Sequence, residues 1–441
     1  MALSSRAVKL LLLALLLLPL LLPALQTSFP IVPLDRIKLQ GYAEPVPRPQ
    51  LNWSALLNNT YQPALEHYLE SHLGFREVFI RLRNQAAYTF FRVCKANFVL
   101  VGEDDVLLDE NSILAYLGRD FKGEQTVRMN VRKLKAVQDT LAGRGKLLIF
   151  AIAPDKANYF SEYHPPRFRQ QPRSQTNYAA YAREMKRQRI NVLDLAALFQ
   201  QWKDTVSYPL FPRGGIHWSG YGITLAADTL LRYMEQRAHV DLPDYVTLSR
   251  TVTHKPRDTD NDIARSLNLI WKPETYKMVY PNIQFRPPTA GQRRPNALFV
   301  GDSFVWSFLE FYPYIPNLFG SKTQFWYYNM KVDYGARADM PADWNAWTLD
   351  RKAEILSQDV IVLLFNQGNL VNFDSGFSAN AYELLCPYPP TELKRIEALE
   401  QELLKSPSIQ KILWERSAAS GRDYNSLIRE IAINQYELQK P

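Results

Sequence analysis

From residue 125 onward, short apolar runs alternate with charged, helix-like stretches, and this alternation constrains the fold more than any other feature. The stretches "KLLIFAI", "INVLDL", "NALFVGDSF", "TQFWYYN" and "DVIVLLF" read as strands bounded by polar turns. Between them lie a charged helix near 125–142, closed by Gly143 and Gly145, and another around 176–188. Near-continuous apolar strands separated by helices predict a parallel sheet covered on both faces, a three-layer α/β/α sandwich. In such sheets chemistry gathers beyond the carboxyl ends of the strands. The residues at those ends are Asp155, Lys156, Asp302, Ser303, Asn329, Gln367 and Asn369.

The N-terminus is built differently. Arg6 and Lys9 precede a run from Leu10 to Leu25 that is almost all leucine, broken by Pro19 and Pro23. A positive stretch followed by an apolar one predicts export. The run is short of the roughly 20 residues of a membrane span, which suits a cleaved signal. Extension through Phe29 to Val32 makes an adequate span, and no clean small-x-small cleavage site follows, which favours an uncleaved anchor with the bulk of the chain outside. Four segments are expected: the signal or anchor at 1–30, a Pro-rich spacer with a helical and hairpin region at 31–124, a catalytic domain at 125–385, and a charged helical tail at 386–441. Within the second segment, 52–92 reads as helical, and "NFVLVGEDDVLLDEN" as strand, acidic turn and strand.

With 441 residues and 46% hydrophobic content, the chain can bury a large core. The formal charge of +8 comes from scattered Lys and Arg with no block of like charge. That speaks against a nucleic-acid partner and for a mildly basic surface, suited to anionic glycans or a membrane. Cys94 and Cys386 are the only cysteines and lack metal-ligand spacing, so zinc and thiol-redox motifs are excluded. A disulfide between them and two buried thiols both remain open.

"ALFVGDSFVWSFLEF" is the sharpest stretch for chemistry. A buried strand runs into Gly301-Asp302-Ser303, and an apolar helix is expected directly after it. A serine at such a turn exposes its hydroxyl at the sheet edge, beside backbone N–H groups able to hold an oxyanion. An Asp-Ser pair before a helix is equally an ordinary N-cap. A nucleophilic serine needs a base, and there are six histidines. His67 and His72 lie on the early helix, His164 in a Pro-rich loop, and His239 and His254 among charges. His217 alone sits in a Gly-rich aromatic turn, "GGIHWSGYG", leading into a helix.

The pair of stretches resembles the AlgJ/AlgX-type (DHHW-related) SGNH hydrolase-like polysaccharide O-acetyltransferase family. The resemblance rests on "VGDSF" around Ser303, "HWSGYG" around His217, "APDKANYF" at 153–160 and "IVLLFNQGNLVNF" at 361–373, and covers roughly residues 60–380. His217 precedes Ser303, the permuted order of this family. The resemblance implies an SGNH-type fold and acyl transfer. Ser303 takes an acetyl group with His217 as base, and a hydroxyl of an exopolysaccharide or cell-wall glycan accepts it. It further implies a multipass membrane acyltransferase as acetyl donor, a periplasmic or otherwise extracytoplasmic site of action, and no dissociable cofactor or metal. A carbohydrate esterase using the same site, and a non-catalytic glycan-binding or assembly component, are the alternatives.

One position departs from the family's pattern. Two residues before the histidine, where the motif carries an acid, stands Gly215. A carboxylate from elsewhere, with Asp155, Asp204, Asp258, Asp260 and Asp262 in reach, a Ser-His dyad, or an inactive site would each follow. Gly301, Asp302, Trp218, Gln367 and Asn369 are supporting or oxyanion candidates. Lys156, Arg213 and Tyr328 are candidates for touching substrate. A solvated charge is the plainer account of the two cations, and core packing the plainer account of most of the Trp306, Trp326, Tyr327 and Tyr328 cluster.

Overall fold

The computed structural model describes all residues except 1–4, 35–36, 42–45, 336–343 and 441. The chain divides into two compact units, one of Met1–Val101 with Asp262–Pro273, the other of Gly102–Asn261 with Glu274–Pro441.

The smaller unit holds helices α1 (Ser5–Ser28), α2 (Trp53–Leu57), α3 (Tyr61–His72) and α4 (Arg76–Phe91), and strand β1 (Val99–Val101). Among the described residues no helix is long and apolar enough to cross a membrane. The expected helical stretch at 52–92 is thus three helices. They are separated at Asn58–Thr60, where Asn58 Oδ1 accepts the Thr60 N–H at 3.1 Å, and at Phe75, which takes a left-handed conformation.

The larger unit begins with β2 (Leu107–Asp109) and helices α5 (Glu110–Tyr116) and α6 (Glu124–Ala142), followed by β3 (Leu147–Ala153). After β3 come the short α7 (Lys156–Tyr159) and α8 (Pro166–Arg169), then α9 (Asn177–Arg187), β4 (Val192–Asp194), α10 (Leu195–Trp202) and α11 (Gly222–Ala238). An antiparallel pair, β5 (Tyr245–Thr253) and β6 (Met278–Phe285), precedes the rest of the main sheet. That sheet is completed by β7 (Ala297–Gly301), β8 (Gln324–Tyr327), β9 (Lys331–Tyr334) and β10 (Val360–Asn366). Its order is β4-β3-β10-β7-β8-β9, parallel throughout except for β9, which runs antiparallel to β8.

The side-chain period of two along each strand sorts the core. Leu148, Phe150 and Ile152 of β3 and Ile361, Leu363 and Phe365 of β10 point to one face. There they pack with Val127, Val131, Leu134 and Val137 of α6 and with Tyr181 and Met185 of α9. Helices α10 and α11 also pack on β3, and none of the buried residues of α11 belongs to that cluster, as a helix on the opposite face requires. All seven residues of β10 are buried, as a central parallel strand requires. The predicted three-layer α/β/α architecture is therefore present, with an SGNH-type Gly-Asp-Ser turn at the end of β7.

Three features differ from the sequence reading. The pair β5–β6 is not among the strands expected from sequence: six of the nine residues of β5 are exposed, and its alternation of Val246, Leu248 and Val252 with Thr and Ser is broken at Arg250. Strand β9 is too short to show a period. The apolar helix expected after Ser303 is a 3-10 helix, Ser303–Phe308, whose tighter winding keeps the serine at the strand exit. The cysteines are free. The C-terminal segment forms three helices, and Tyr388, Ile396, Ala432, Ile433 and Tyr436 make a small core of their own.

Burial of one carboxyl predicts a pH effect on stability. Asp374 is fully buried, accepts the Ser378 N–H at 2.9 Å, and has its carboxyl pushed up to about 6 by desolvation. In the unfolded chain it ionises near 4. Between those values the folded protein keeps a proton that the unfolded chain releases, so Asp374 favours folding less as pH rises from about 4 to about 6. Urea titrations of wild type and Asp374→Asn should show the variant gaining on wild type across that window.

Candidate active site

The site is built where two turns meet at the carboxyl end of the sheet. The first follows β7. A Cβ at Gly301 would lie 2.2 Å from the carbonyl oxygen of Leu364 on the neighbouring strand, so the close approach of β7 to β10 requires glycine. Asp302 comes next, fully buried. Its Oδ1 accepts the Phe304 N–H at 3.1 Å, and its Oδ2 accepts the Asn366 N–H and the Asn369 Nδ2 amide, each at 2.7 Å. Burial raises the Asp302 carboxyl, while those three donors and the nearby His217 pull it down. Asp302 is thus the N-cap of the serine's helix, and it also ties that helix to the end of β10.

The second turn holds the histidine. His217 Nε2 lies 2.8 Å from Ser303 Oγ, with His217 6% exposed. The imidazole packs on Phe304 at 4.8 Å between centroids. Trp218 is fully buried against Phe304, Phe308 and Phe199, which anchors the segment. Ser219 Oγ donates to the Pro209 carbonyl at 2.6 Å and accepts the Gly222 N–H at 2.9 Å, so it shapes the entry to α11. A Cβ at Gly220 would lie 2.6 Å from Tyr280 and 2.7 Å from Phe311.

Packing accounts for Gly215. A Cβ there would stand 2.3 Å from the Thr259 carbonyl oxygen and 2.9 Å from the Asp260 carbonyl carbon. The segment Asp258–Asn261 occupies the space that a motif acid would need. Asp260 is itself fully buried, and its Oδ2 accepts the Tyr280 hydroxyl at 2.7 Å and the Gly220 N–H at 3.4 Å. It is thereby built into the turn that carries His217. Asp204 and Asp258 are exposed, and Asp155 caps α7 through the Ala157 N–H at 2.8 Å. Asp262 belongs to the smaller unit.

The remaining candidates divide clearly. Asn369 reaches the site through Asp302, and Tyr328 through Asn369, whose amide lies 3.3 Å from the Tyr328 hydroxyl. Gln367 faces the other way, its Oε1 accepting the Asp155 N–H at 3.3 Å. Lys156 is 2% exposed, and its Nζ donates to the carbonyls of Arg213 at 2.8 Å and Gly215 at 2.7 Å. The ammonium is turned inward beneath the histidine turn, where it holds backbone. Arg213 pairs with Asp104 at 2.8 Å and lies over the Tyr276 ring. Trp326 is core, whereas Trp306 stacks on Tyr327 and donates to Asp333. Of the five carboxylates in reach on sequence grounds, Asp260 is joined to the histidine turn by a hydrogen bond from the Gly220 N–H, whereas Asn366, Phe304 and Tyr280 carry no expectation from sequence as site residues. Only Asn366 left a signal, a polar residue ending an otherwise apolar strand.

Lys156→Met removes two hydrogen bonds from buried carbonyls, at about 1–3 kcal/mol each. The urea midpoint should fall, and ester hydrolysis should fall with it as the 213–217 turn loosens.

Comparison with known proteins places these residues in a family. Residues 99–322, just over half of the chain and including both His217 and Ser303, match the family described as "SGNH hydrolase-like domain, acetyltransferase AlgX". The chain is 24% identical over 185 residues to a probable alginate O-acetylase AlgJ of Pseudomonas putida, an alignment covering 42% of this chain and 46% of that protein. The chain thus matches about half the length of that relative. The solved O-acetyltransferase domain of Pseudomonas putida AlgJ has a TM-score of 0.42 at 20% identity, covering 65% of this chain and 98% of that one. Pseudomonas aeruginosa AlgX has 0.40 at 13%, covering 64% and 67%. The structural likenesses are distant, and the assignment rests on the family match. On that match, the chain belongs to the SGNH hydrolase-like acetyltransferase domains of the AlgX type.

Proposed function

We propose that the protein is an exported O-acetyltransferase that acetylates hydroxyls of a polysaccharide through a Ser303 acyl-enzyme. The observation that carries this reading is the 2.8 Å contact between His217 Nε2 and Ser303 Oγ at the strand-to-helix turn. Ser303 Oγ attacks the acetyl carbonyl carbon while its proton passes to His217 Nε2. The tetrahedral oxyanion is held by the Ser303 backbone N–H, which at the first position of its helix has no intrahelical acceptor. The donor's leaving group departs with the proton from His217. In the second half a sugar hydroxyl gives its proton to His217 and attacks the acyl carbon, and Ser303 Oγ leaves and recovers the proton. Asp302 and Asn369 position the serine, and Asp260 takes over the bracing of the histidine turn that the motif acid would otherwise share.

The family match supports acetyl transfer, and the relative's name, alginate O-acetylase, supports an acidic polysaccharide as acceptor. The apolar leader supports an extracytoplasmic site of action and, with the family resemblance, a multipass membrane acyltransferase as donor. Incubation of the protein with p-nitrophenyl acetate and oligomannuronate tests the reading. Acetylated oligosaccharide detected by mass spectrometry is the expected product. Release of acetate alone would make the protein a carbohydrate esterase instead.

A further inference from the structure

The smaller unit presents its surface the wrong way round for a body in water. On α4 the residues turned inward are polar. Asn84 donates to the Leu267 carbonyl at 2.9 Å, and Gln85 Oε1 accepts the N–H groups of Ile270 at 3.1 Å and Trp271 at 2.9 Å. Val78, Ile80 and Tyr88 are half-buried, but Phe79, Leu82, Phe90 and Phe91 are exposed, Phe90 at 77% and Phe91 at 74%. On α2 no residue is buried, with Trp53 and Leu57 each 80% exposed, and Trp271 is 71% exposed. In the larger unit, by contrast, only Leu248, Val252, Met330, Ile412 and Trp414 are large apolar side chains of that kind among the described residues. Large apolar side chains such as Trp53, Leu57, Phe90, Phe91 and Trp271, exposed to this degree within one small unit, point to an interaction face.

What covers it follows from the neighbouring element and the charge. The end of the leucine-rich α1 is seated on the corner between α3 and α4. Thr27 Oγ1 accepts the Gly74 N–H at 2.7 Å, and a Cβ at Gly74 would meet the Pro23 carbonyl oxygen at 2.5 Å. The exposed leucines of α1 and the exposed aromatics of α2 and α4 therefore belong to one unit. Between 51 and 98 there are five Lys or Arg against three Glu, interleaved with Trp and Phe. Aromatic rings and aliphatic side chains mixed with basic residues are the pattern of a surface at the level of lipid headgroups, with cations meeting anionic lipid. We infer that α2, α4 and Trp271 form a docking face that lies in the interfacial layer of an anionic lipid bilayer, beside α1. This goes beyond a leader anchor, since it places the folded helical unit itself at the lipid surface.

The test uses the full chain with Cys94→Ser and Cys386→Ser, carrying an NBD fluorophore on Leu57→Cys, Phe91→Cys or, as control, Trp414→Cys. It is bound to vesicles of phosphatidylethanolamine and phosphatidylglycerol. At 57 and 91 we expect blue-shifted emission and at least twofold quenching by nitroxide-labelled lipid, with neither at 414. Labels at 57 and 91 that stay open to aqueous iodide while the chain floats with the vesicles overturn the inference. So does shielding that appears only when a second protein is added. Hydrogen exchange of the unmodified chain gives a readout independent of the substitutions. Protection of 51–93 should rise at least twofold on vesicles, and unchanged protection overturns the inference. Hydrolysis of p-nitrophenyl acetate in the same samples reports on the Ser303 reading separately.

Discussion

Replacement of Ser303 by alanine is expected to lower hydrolysis of p-nitrophenyl acetate at least a thousandfold, with the fold unchanged. The expectation follows from geometry and from what the hydroxyl does not support. His217 Nε2 is 2.8 Å from Oγ, and that is the one side-chain hydrogen bond Ser303 makes among the described residues. The N-cap of its helix is Asp302, so the helix keeps its cap in the variant. Loss of a nucleophile that acts together with its base removes nearly the whole catalytic contribution of the pair. The far-ultraviolet circular dichroism spectrum and urea midpoint should match wild type, while sulfonylation by a sulfonyl fluoride, in which the Ser303 oxygen displaces fluoride, disappears. Turnover within tenfold of wild type would remove Ser303 from the chemistry.

Restoring the family's acid should do harm. In many enzymes of this kind a carboxylate orients the catalytic histidine, so Gly215→Asp would be expected on sequence grounds to raise activity. The structure predicts the opposite. A Cβ at position 215 would stand 2.3 Å from the Thr259 carbonyl oxygen, which is backbone and has no rotamer to yield. Either the Asp258–Asn261 segment or the histidine turn must move. Overpacking of this kind costs about 1–3 kcal/mol, and a carboxylate buried beside a carbonyl adds to it. The same shift disturbs Asp260, which holds the Gly220 N–H and the Tyr280 hydroxyl. A lower urea midpoint and at least tenfold lower ester hydrolysis are expected. Gly215→Ala should reproduce most of the stability loss, which separates the steric effect from the charge. Increased activity in Gly215→Asp would show that the motif position still serves the histidine.

The main sheet was readable in advance wherever a strand is buried on both faces. "KLLIFAI" and "DVIVLLF" occupy β3 and β10, because a strand that meets helices on two sides has no room for polar residues. The edge elements were not readable. Exposed β5 buries no apolar face, its alternation being broken at Arg250, and β9 has only four residues. At the site, Ser303 and His217 could be named because each sits in a compact local motif. Lys156 could not be placed, since an ammonium after a strand reads alike whether it faces a glycan or, as here, two carbonyls.

The sequence by itself therefore determined the sheet's central strands, the Gly-Asp-Ser turn and which histidine stands beside Ser303, all of which depend on neighbours within a few positions along the chain. Tertiary structure alone decided that Gly215 must stay glycine and that Asp260 sits in the histidine turn. It also decided that Asn366 and Asn369 hold Asp302, and that α4 leaves Phe79, Leu82, Phe90 and Phe91 exposed while burying Asn84 and Gln85. Each of these depends on segments tens of residues apart meeting within a few ångströms. Local patterning carries no record of such meetings, because packing fills a position according to what stands across from it in space.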